Sequence, residues 1–485
     1  MRKKSLVVNA FLNGLRSVLN ILFPLITFPY VTRVLSVNGI GIYNFSNTYV
    51  GYFVLIAGLG ISTYAVREGA KYRDDIKKIS NFSSQIFSIN IYSTIIAYLL
   101  LLLSLIVFKN LNNYISCILI FSLQILFTTL GTEWIYIIYE DYSYITIRSI
   151  IFKVISIFFL FIFVRKPTDY LVYAGISVFA GVGSNILNFI HARQICSIKF
   201  VNNINWRYHL KPILVIFATS VAITIYMSAD TTMLGIMKSD YDVGIYSTSV
   251  KIYTIIATLL GAISTVTIPR LAMLYGKKRF KEYKKILSEL INTLNVIVLP
   301  GTVGLIMLSK DIVLIIAGEK YLPAVNSLQL ISLAMIFSNF SMIFNQCVLI
   351  PAKRENKSLR NTIVTALINI ILNVVFIPYL SYNGTALSTT IAEFMVMFMN
   401  GWSGRDIIKD VVFSRRILKN ISTSVLGCLG IILICSLCRI SYTSLVLRTV
   451  MSVILSVGIY MAILVLVKNE IIMSYMDKLR KRKLF

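Results

Sequence analysis

The chain has 485 residues, of which 57% are hydrophobic and 14% are charged, and its mean hydropathy is +0.79. Soluble domains carry roughly 25% charged residues, so this composition excludes an ordinary soluble protein and indicates an integral membrane protein. Lys and Arg number 47 against 20 acidic residues, a formal net charge of +27, and the position of that charge along the chain decides what it means.

Apolar runs near the length that a helix needs to cross a bilayer recur from one end of the chain to the other. They predict an all-α integral membrane fold with about 14 transmembrane helices. The first run follows a basic start as in a signal peptide, but it contains Arg16, lacks a small-residue cleavage site and continues to residue 34, so we interpret it as a retained span. The predicted spans are 7–34, 40–65, 82–108, 114–136, 145–164, 170–190, 212–236, 243–268, 286–308, 325–350, 361–379, 384–402, 419–437 and 445–467.

Lys and Arg are distributed unequally between alternate connections of these spans. About 35 of the 47 fall on one side, about 7 on the other and about 5 within spans. The positive-inside rule therefore predicts that both termini and the long loops lie in the cytoplasm. This placement accounts for the charge without nucleic acid as a partner, and the short outward connections leave no room for a folded catalytic domain.

A short motif recurs at matching places in the predicted topology. Gly41-Ile42-Tyr43-x-x-Ser46 returns as Gly244-Ile245-Tyr246-x-x-Ser249, and each copy opens a span after a polar turn. The recurrence predicts two six-helix lobes, residues 1–210 with helices 1–6 and residues 211–410 with helices 7–12, related by an axis along the membrane normal. Residues 411–485 then form helices 13 and 14 and a basic cytoplasmic tail.

Motifs of enzymes and pumps do not emerge from the sequence. It carries no Gly-rich phosphate loop, no paired metal-ligand histidines and no Ser/His/Asp arrangement. Cys435-x-x-Cys438, the only close cysteine pair, is interpreted as small packing residues near a helix end. We therefore expect a transporter without a metal or cofactor.

A sparse set of ionisable residues falls at or near membrane depth. Such residues are costly in lipid and by default face protein or water. At 1.5 Å rise per residue, Arg16 and Lys251 lie roughly 10 Å in from opposite faces. We expect them to line a shared cavity that suits an anionic substrate, because Arg binds phosphate bidentately and Lys binds it as a point charge. The whole set is Arg16, Arg33, Glu133, Lys153, Asp230, Lys251, Glu393 and Arg448.

Some of these residues have an alternative role. Arg33, Glu133 and Arg448 lie near predicted span ends, where they could equally snorkel to the interface or pair between helices. For Asp230 two roles stay open, since it could balance a cation or carry a coupling proton or Na⁺.

Motifs in a fixed order connect the chain with a known family. In this order and over nearly the whole chain, they resemble the bacterial polysaccharide, or lipid-linked oligosaccharide, flippases of the multidrug/oligosaccharidyl-lipid/polysaccharide transporter superfamily. The chain departs from the family pattern at Asn38, Ile137-Ile138 and Thr231, where an acid, Gln-Gly and Lys are common. The matching residues are Pro24-Leu25-Ile26-Thr27-x-Pro29-Tyr30-x-x-Arg33-Val34-Leu35, Gly39-x-Gly41-x-Tyr43, Arg67, Trp134, Glu140, Arg148, Asp230-x-x-Met233-Leu234-Gly235, Asn369, Asn373, Pro378, Gly384, Ala386 and Glu393.

The resemblance implies a MATE-like, V-shaped pair of six-helix lobes around a central cavity. It also implies that an undecaprenyl-diphosphate-linked glycan crosses from the cytoplasmic to the outer leaflet while its lipid stays in the bilayer, with polysaccharide assembly proteins as partners. On this hypothesis Arg16 and Lys251, supported by Lys153, contact the diphosphate. Arg33 holds an outer gate or guides the headgroup outward.

The acids take the remaining roles in this hypothesis. Asp230, Glu393 and Glu133 are the coupling or charge-pair residues, with H⁺ or Na⁺ as the coupling ion. The departures at Thr231 and Ile137-Ile138 leave both the coupling and the gate open.

Three other functions stay open from the sequence. A cation-coupled multidrug exporter of the same fold would need an acid-rich cavity. A peptidoglycan-precursor flippase would share the diphosphate carrier. A membrane glycan polymerase or glycosyltransferase would commonly need a large outward loop or a cytoplasmic catalytic domain, and the sequence offers neither.

Overall fold

The helices dominate the computed structural model, which describes residues 6–412, 414–474 and 476, with side chains except at 6–13, 16–18, 20, 21, 262, 263, 265 and 266. No strand occurs among the described residues. Twelve helices within them are long and apolar enough to cross a membrane, which confirms the predicted all-α, multi-pass membrane fold. This count joins helices that follow one another directly, for example over Val37–Tyr72, and omits the shorter apolar stretch Leu22–Val34. It also takes Glu355–Ser403 as one helix, although two helical segments meet in it at Ser381. The number fourteen therefore stays a prediction.

Contacts within the chain define two compact units, Met1–Gly244 and Ile245–Phe485. The predicted lobes, residues 1–210 and 211–410, stay a prediction. Within the first unit, α10 packs against α2. The helices of the first unit are α1 (Leu6–Val34), α2 (Val37–Gly58), α3 (Ile61–Gly69), α4 (Ile76–Val107), α5 (Ile115–Gly131), α6 (Glu133–Ile138), α7 (Tyr142–Phe163), α8 (Tyr170–Val178), α9 (Asn185–Ile195) and α10 (Trp206–Met237).

The second unit begins at Ile245, within α11, so the first five residues of that helix belong to the first unit. In the second unit, α13 packs along α14, and α16 and α17 pack on α12. Asparagine amides form hydrogen bonds in its interior. Asn361 donates to Asn400 at 3.0 Å, which joins the two segments of α14, and Asn420 on α16 donates to Asn292 on α12 at 2.8 Å. The helices are α11 (Asp240–Gly276), α12 (Phe280–Ile316), α13 (Ala324–Ile343), α14 (Glu355–Ser403), α15 (Arg405–Val412), α16 (Arg415–Ser441) and α17 (Leu445–Leu466).

The predicted span 40–65 is two helices rather than one. The chain leaves α2 through Leu59 and Gly60, both left-handed with φ of 46° and 71°, and Gly60 adopts that conformation without a Cβ penalty. The carbonyl of Ala57 at the end of α2 accepts hydrogen bonds from Asn90 Nδ2 at 2.7 Å and Ser93 Oγ at 2.6 Å. Side chains of α4 therefore satisfy a backbone group that the break leaves without a helical partner, as a membrane interior requires.

The two glycines of the repeated motif lie where backbones approach closely. A Cβ added to Gly41 on α2 would lie 1.8 Å from the carbonyl oxygen of Asp240, at the start of α11. A Cβ added to Gly244 on α11 would lie 2.3 Å from the carbonyl oxygen of Val37, at the start of α2. Each copy of the motif thus uses its glycine to admit the backbone of the other helix.

Candidate functional site

Three helices of the second unit run parallel around two of the predicted site residues. The hydroxyls of Tyr246 on α11 and Thr389 on α14 are 3.2 Å apart, and further along α11 the hydroxyl of Tyr253 is 3.2 Å from that of Ser338 on α13. Thr390 donates to the carbonyl of Leu330 at 2.9 Å, which fixes α13 beside the second segment of α14.

Lys251 and Glu393 lie at matching depth on this scaffold. Lys251 follows Tyr246 on α11 and Glu393 follows Thr389 on α14, each roughly 6 to 8 Å further along its helix at 1.5 Å rise per residue. Both side chains are half-buried. Among the described residues, the Lys251 ammonium forms no hydrogen bond or ion pair. A half-buried ammonium of this kind is suited to an anionic group of a ligand.

Glu133 lies beside a buried arginine of the first unit. It is the first residue of α6, and its Oε1 is 3.4 Å from Nη2 of Arg148 on α7. The Arg148 side chain is only 7% exposed, and its Nη1 donates to the carbonyl of Ser184 at 3.1 Å. The Glu133–Arg148 charge pair and the bond from Arg148 to Ser184 hold α6, α7 and the start of α9 together. A role of Glu133 in ion coupling stays a prediction.

Asp230 is buried on α10, where that helix faces α2. Its neighbour Thr232 shares a hydrogen bond of 2.8 Å with the hydroxyl of Tyr52. The ring of Phe45 on α2 fills the space above Gly235, where an added Cβ would lie 2.3 Å from a ring carbon. Asp230 therefore sits in a tightly packed helix pair.

The remaining predicted cations of the first unit lie on α1 and α7. Arg33 is exposed in the last turn of α1, beside Tyr30, whose hydroxyl donates to the carbonyl of Val164 at 2.8 Å. Lys153 is half-buried on α7. Arg16 belongs to α1, but its side chain lies outside the described residues, so the predicted approach of Arg16 to Lys251 stays a prediction.

Arg448 pairs between helices, one of its two predicted roles, with a partner that was not identified from the sequence. Arg448 on α17 binds Asp311 on α12 with Nε to Oδ2 at 2.9 Å and Nη2 to Oδ1 at 2.5 Å. The two side chains are 19% and 12% exposed. Asp311 was missed because the ninth span was predicted to end at residue 308, whereas α12 continues to Ile316. The apolar residues after Asp311 are the signal from which the predicted ninth span could have been extended.

A large apolar cavity lies in the second unit between α11, α12, α16 and α17. Its volume is about 800 Å³. Its lining is almost wholly hydrocarbon, and the hydroxyl of Tyr460 is turned to the carbonyl of Val296 at 2.8 Å rather than to a ligand. A cavity of this chemistry suits an alkyl or prenyl chain.

Short polar contacts hold α15, a helix of eight residues that is not one of the membrane-spanning helices. The guanidinium of Arg354 binds Asp406 through two nitrogen–oxygen contacts of 2.6 Å. These hydrogen bonds hold the pKa of the Asp406 carboxyl below its ordinary value. The ammonium of Lys284 donates to Oδ2 of Asp410 at 2.7 Å, and this bond likewise lowers the pKa of the Asp410 carboxyl.

Comparison with known proteins identifies the family. The family model described as polysaccharide biosynthesis protein matches residues 6–275, and the MatE model matches residues 216–375. The chain is 24% identical over 383 residues to a putative O-antigen transporter of Escherichia coli (strain K12), covering 78% of this chain and 91% of that one.

Solved structures share the fold. The lipid II flippase MurJ in its inward closed conformation aligns with a TM-score of 0.76 at 18% identity, over 96% of this chain and all of that one. A multidrug resistance MATE family transporter in its inward-facing conformation aligns with a TM-score of 0.60 at 13% identity, over 81% of this chain and 99% of that one. The resemblance noted in the sequence is thus confirmed, and the chain belongs to the polysaccharide biosynthesis protein family.

Proposed function

We propose that this protein is a flippase that moves an undecaprenyl-diphosphate-linked oligosaccharide across the bacterial cytoplasmic membrane by alternating access, for the synthesis of a surface polysaccharide. The observation that carries the proposal is the family match over residues 6–275, joined to the likeness to a putative O-antigen transporter. Both termini are proposed to be cytoplasmic, from the distribution of Lys and Arg.

The proposed contact for the diphosphate is Lys251, with Arg16, Arg33 and Lys153 as further cations along its path. Lys251 supports this role because its half-buried ammonium forms no ion pair among the described residues. Glu393 lies at the same depth on a parallel helix, where its carboxylate could neutralise the ammonium after the diphosphate has left. Asp230, Glu393 and Glu133 are the proposed residues for coupling to H⁺ or Na⁺.

The lipid part of the substrate has a proposed place as well. The apolar cavity of about 800 Å³ in the second unit offers a hydrocarbon surface to part of a prenyl chain. The diphosphate and glycan would then cross along polar side chains while the chain stays in apolar surroundings. Polysaccharide assembly proteins are the expected partners that use the translocated glycan.

Export of surface glycan in cells tests the proposal. In a strain that lacks its own flippase but makes the lipid-linked glycan, the wild-type protein is expected to restore surface polysaccharide. Lys251→Ala is expected to lower the export rate about tenfold or more, as the loss of a charged contact of 1.5–3 kcal/mol predicts. Lys251→Arg, which keeps the charge, should retain more export than Lys251→Ala.

Lys109→Ala is the matched control, because Lys109 is an exposed lysine in the turn after α4. Protein levels in the membrane are measured for every variant. Full export by Lys251→Ala at normal protein level would refute the role of this lysine. Export of a drug or rescue of peptidoglycan synthesis, with no surface glycan restored, would instead show one of the rival functions.

A further inference from the structure

A second cavity, of about 320 Å³, lies in the first unit where α4 and α10 begin. It is separate from every site residue discussed so far. We call the rings of Tyr72, Phe82 and Tyr208 its aromatic side, and the side chains of Lys78, Asn81 and Gln85 its polar side. By the positive-inside rule, the ends of α4 and α10 that form it face the cytoplasm.

The aromatic side is held in place by ring contacts and hydrogen bonds. Phe82 is buried, and its ring centroid lies 5.6 Å from that of Tyr72. The hydroxyls of Tyr72 and Tyr208 are 3.4 Å apart, and Tyr208 also donates to Oε2 of Glu68 at 3.3 Å. The rings therefore present a preformed surface rather than one that must assemble around a ligand.

The polar side is also positioned in advance. Oε1 of Gln85 accepts from the backbone N–H of Asn205 at 2.9 Å, and Nε2 of Gln85 donates to Oδ1 of Asn81 at 3.3 Å. These two bonds fix both amides and leave the NH₂ of Asn81 without a hydrogen bond among the described residues. Asn81 therefore presents two donor hydrogens to a ligand.

His209 adds a buried polar group to the same cavity. It is 3% exposed, and its Nδ1 shares a hydrogen bond of 2.8 Å with the hydroxyl of Tyr64. That bond fixes the ring and leaves Nε2 for a ligand, as donor or acceptor according to the tautomer.

We propose that this cavity binds one pyranose ring of the carried glycan at the cytoplasmic face, an inference that rests on the proposed function. A pyranose has an apolar C–H face, which fits the aromatic side, and hydroxyl edges, which fit Asn81, Gln85 and Nε2 of His209. The volume is at the lower end of the roughly 300–1,000 Å³ usual for ligand sites, so it admits a single sugar ring rather than a whole repeat unit.

Nearby charge favours a neutral sugar over a phosphate. The carboxylate of Glu68 contacts the aromatic side through Tyr208, and Asp75 lies 3.4 Å from the Lys78 ammonium. Lys78, the one lysine of the lining, is therefore paired with Asp75, and Glu68 is paired with Lys71 at 2.7 Å and with Arg67 at 3.4 Å. A neutral sugar leaves these ion pairs intact, whereas an anion would have to compete with Asp75 for Lys78. The structure therefore assigns the cavity to recognition of the glycan rather than of its diphosphate.

Saturation-transfer NMR on the full-length protein tests this assignment. The protein is placed in lipid nanodiscs free of sugar-based detergent, and the probes are methyl pyranosides of glucose, galactose, fucose and N-acetylglucosamine. Glycerol phosphate represents a lipid headgroup, and a uridine diphosphate sugar represents a free precursor. Two of the three tryptophans, Trp134 and Trp206, lie near the cavity, and Trp134 contacts Phe82 at 6.5 Å between ring centroids, so tryptophan fluorescence gives a second readout.

At least one methyl pyranoside is expected to bind. Asn81→Ala and Tyr208→Ala are each expected to weaken it roughly threefold to tenfold, the effect of one hydrogen bond or contact. Both residues are exposed enough for the variants to fold. Asn202→Ala, an exposed asparagine of the same connection that does not line the cavity, should leave binding unchanged.

Four binding results would overturn the proposal. The first three are absence of binding by every pyranoside, equal binding by the wild type and both cavity variants, and stronger binding of glycerol phosphate than of any pyranoside. The fourth is tighter binding of the nucleotide sugar than of the pyranosides, because the ligand would then be a soluble precursor. The export assay in cells shows separately whether the proposed function fails, because the wild-type protein then restores no surface glycan. If the protein binds a sugar but exports no glycan, the assignment of the cavity to a carried glycan is overturned.

Discussion

Arg448 and Asp311 show how a charge is kept inside a membrane protein. The two side chains are mostly buried, and the planar guanidinium satisfies both carboxylate oxygens at once. Removing one partner leaves the other as an unpaired buried charge, which costs much more than the pair contributes. The pair also joins α17 to α12, the helix that carries one wall of the apolar cavity.

Substitution of Arg448 is therefore predicted to be strongly destabilising. Arg448→Ala should lower the free energy of unfolding by about 3–5 kcal/mol, measured by thermal unfolding of the purified protein. The double variant Arg448→Met with Asp311→Leu should recover most of that loss, because no unpaired charge remains. If the double variant is no more stable than Arg448→Ala, the loss comes from packing rather than from the unpaired carboxylate.

At the residue scale, the sequence identified the charged residues inside the membrane better than the residues that they contact. Glu133 and Arg448 were singled out from their types and positions, and Arg148 from the family resemblance, but their contacts depend on helix rotation and on where a helix ends. The period of 3.6 residues is weak in a helix that is apolar on all sides, so the sequence contains little information on which face meets which neighbour. Arg148 to Glu133 and Arg448 to Asp311 are contacts of that kind.

At the scale of elements, the crossing of α2 with the start of α11 depends on glycine. The oxygen of Asp240 occupies the place of a Cβ on Gly41, and the oxygen of Val37 occupies the place of a Cβ on Gly244. A backbone atom cannot move aside as a side chain can, so any larger residue must separate the helices. The repeated motif in the sequence thus marks a close approach of two helix ends.

Gly41→Ala is predicted to destabilise the protein by about 1–3 kcal/mol, the usual cost of overpacking. Gly51→Ala on the same helix is the matched control, because nothing lies within 4 Å of its added Cβ. That change should stabilise the helix by about 0.5–1 kcal/mol, since alanine loses less entropy than glycine. Thermal unfolding of both variants checks the difference, and a Gly41→Ala protein as stable as Gly51→Ala would show that the crossing is loose.

The sequence predicted the existence of the elements but not their breaks. Apolar length is sufficient to locate spans, since the bilayer sets it. It does not reveal that the helix in span 40–65 is interrupted at Leu59 or that the helix in span 114–136 is interrupted at Thr132, whose φ is 41°. The break at Leu59 depends on tertiary partners, since Asn90 and Ser93 donate to the carbonyl of Ala57 that the helix leaves open.

At the scale of the whole molecule, the composition, the charge distribution and the family match agree on a membrane protein of polysaccharide synthesis. The fold class followed from hydropathy alone, because a chain of this composition can satisfy its backbone in lipid only as helices or a closed barrel. The identity of the glycan did not follow, because selection depends on cavity shape and on a few polar side chains such as Asn81.

Translocation by the purified protein is the most direct measurement of the central claim. The protein is reconstituted into liposomes with an undecaprenyl-diphosphate-linked oligosaccharide, and an added glycosidase that cannot cross the membrane reports which sugars face outward. We predict that nearly all of the glycan becomes accessible with the protein, against only the outer-leaflet half in protein-free liposomes. Accessibility that stays at half with folded protein present would contradict the account.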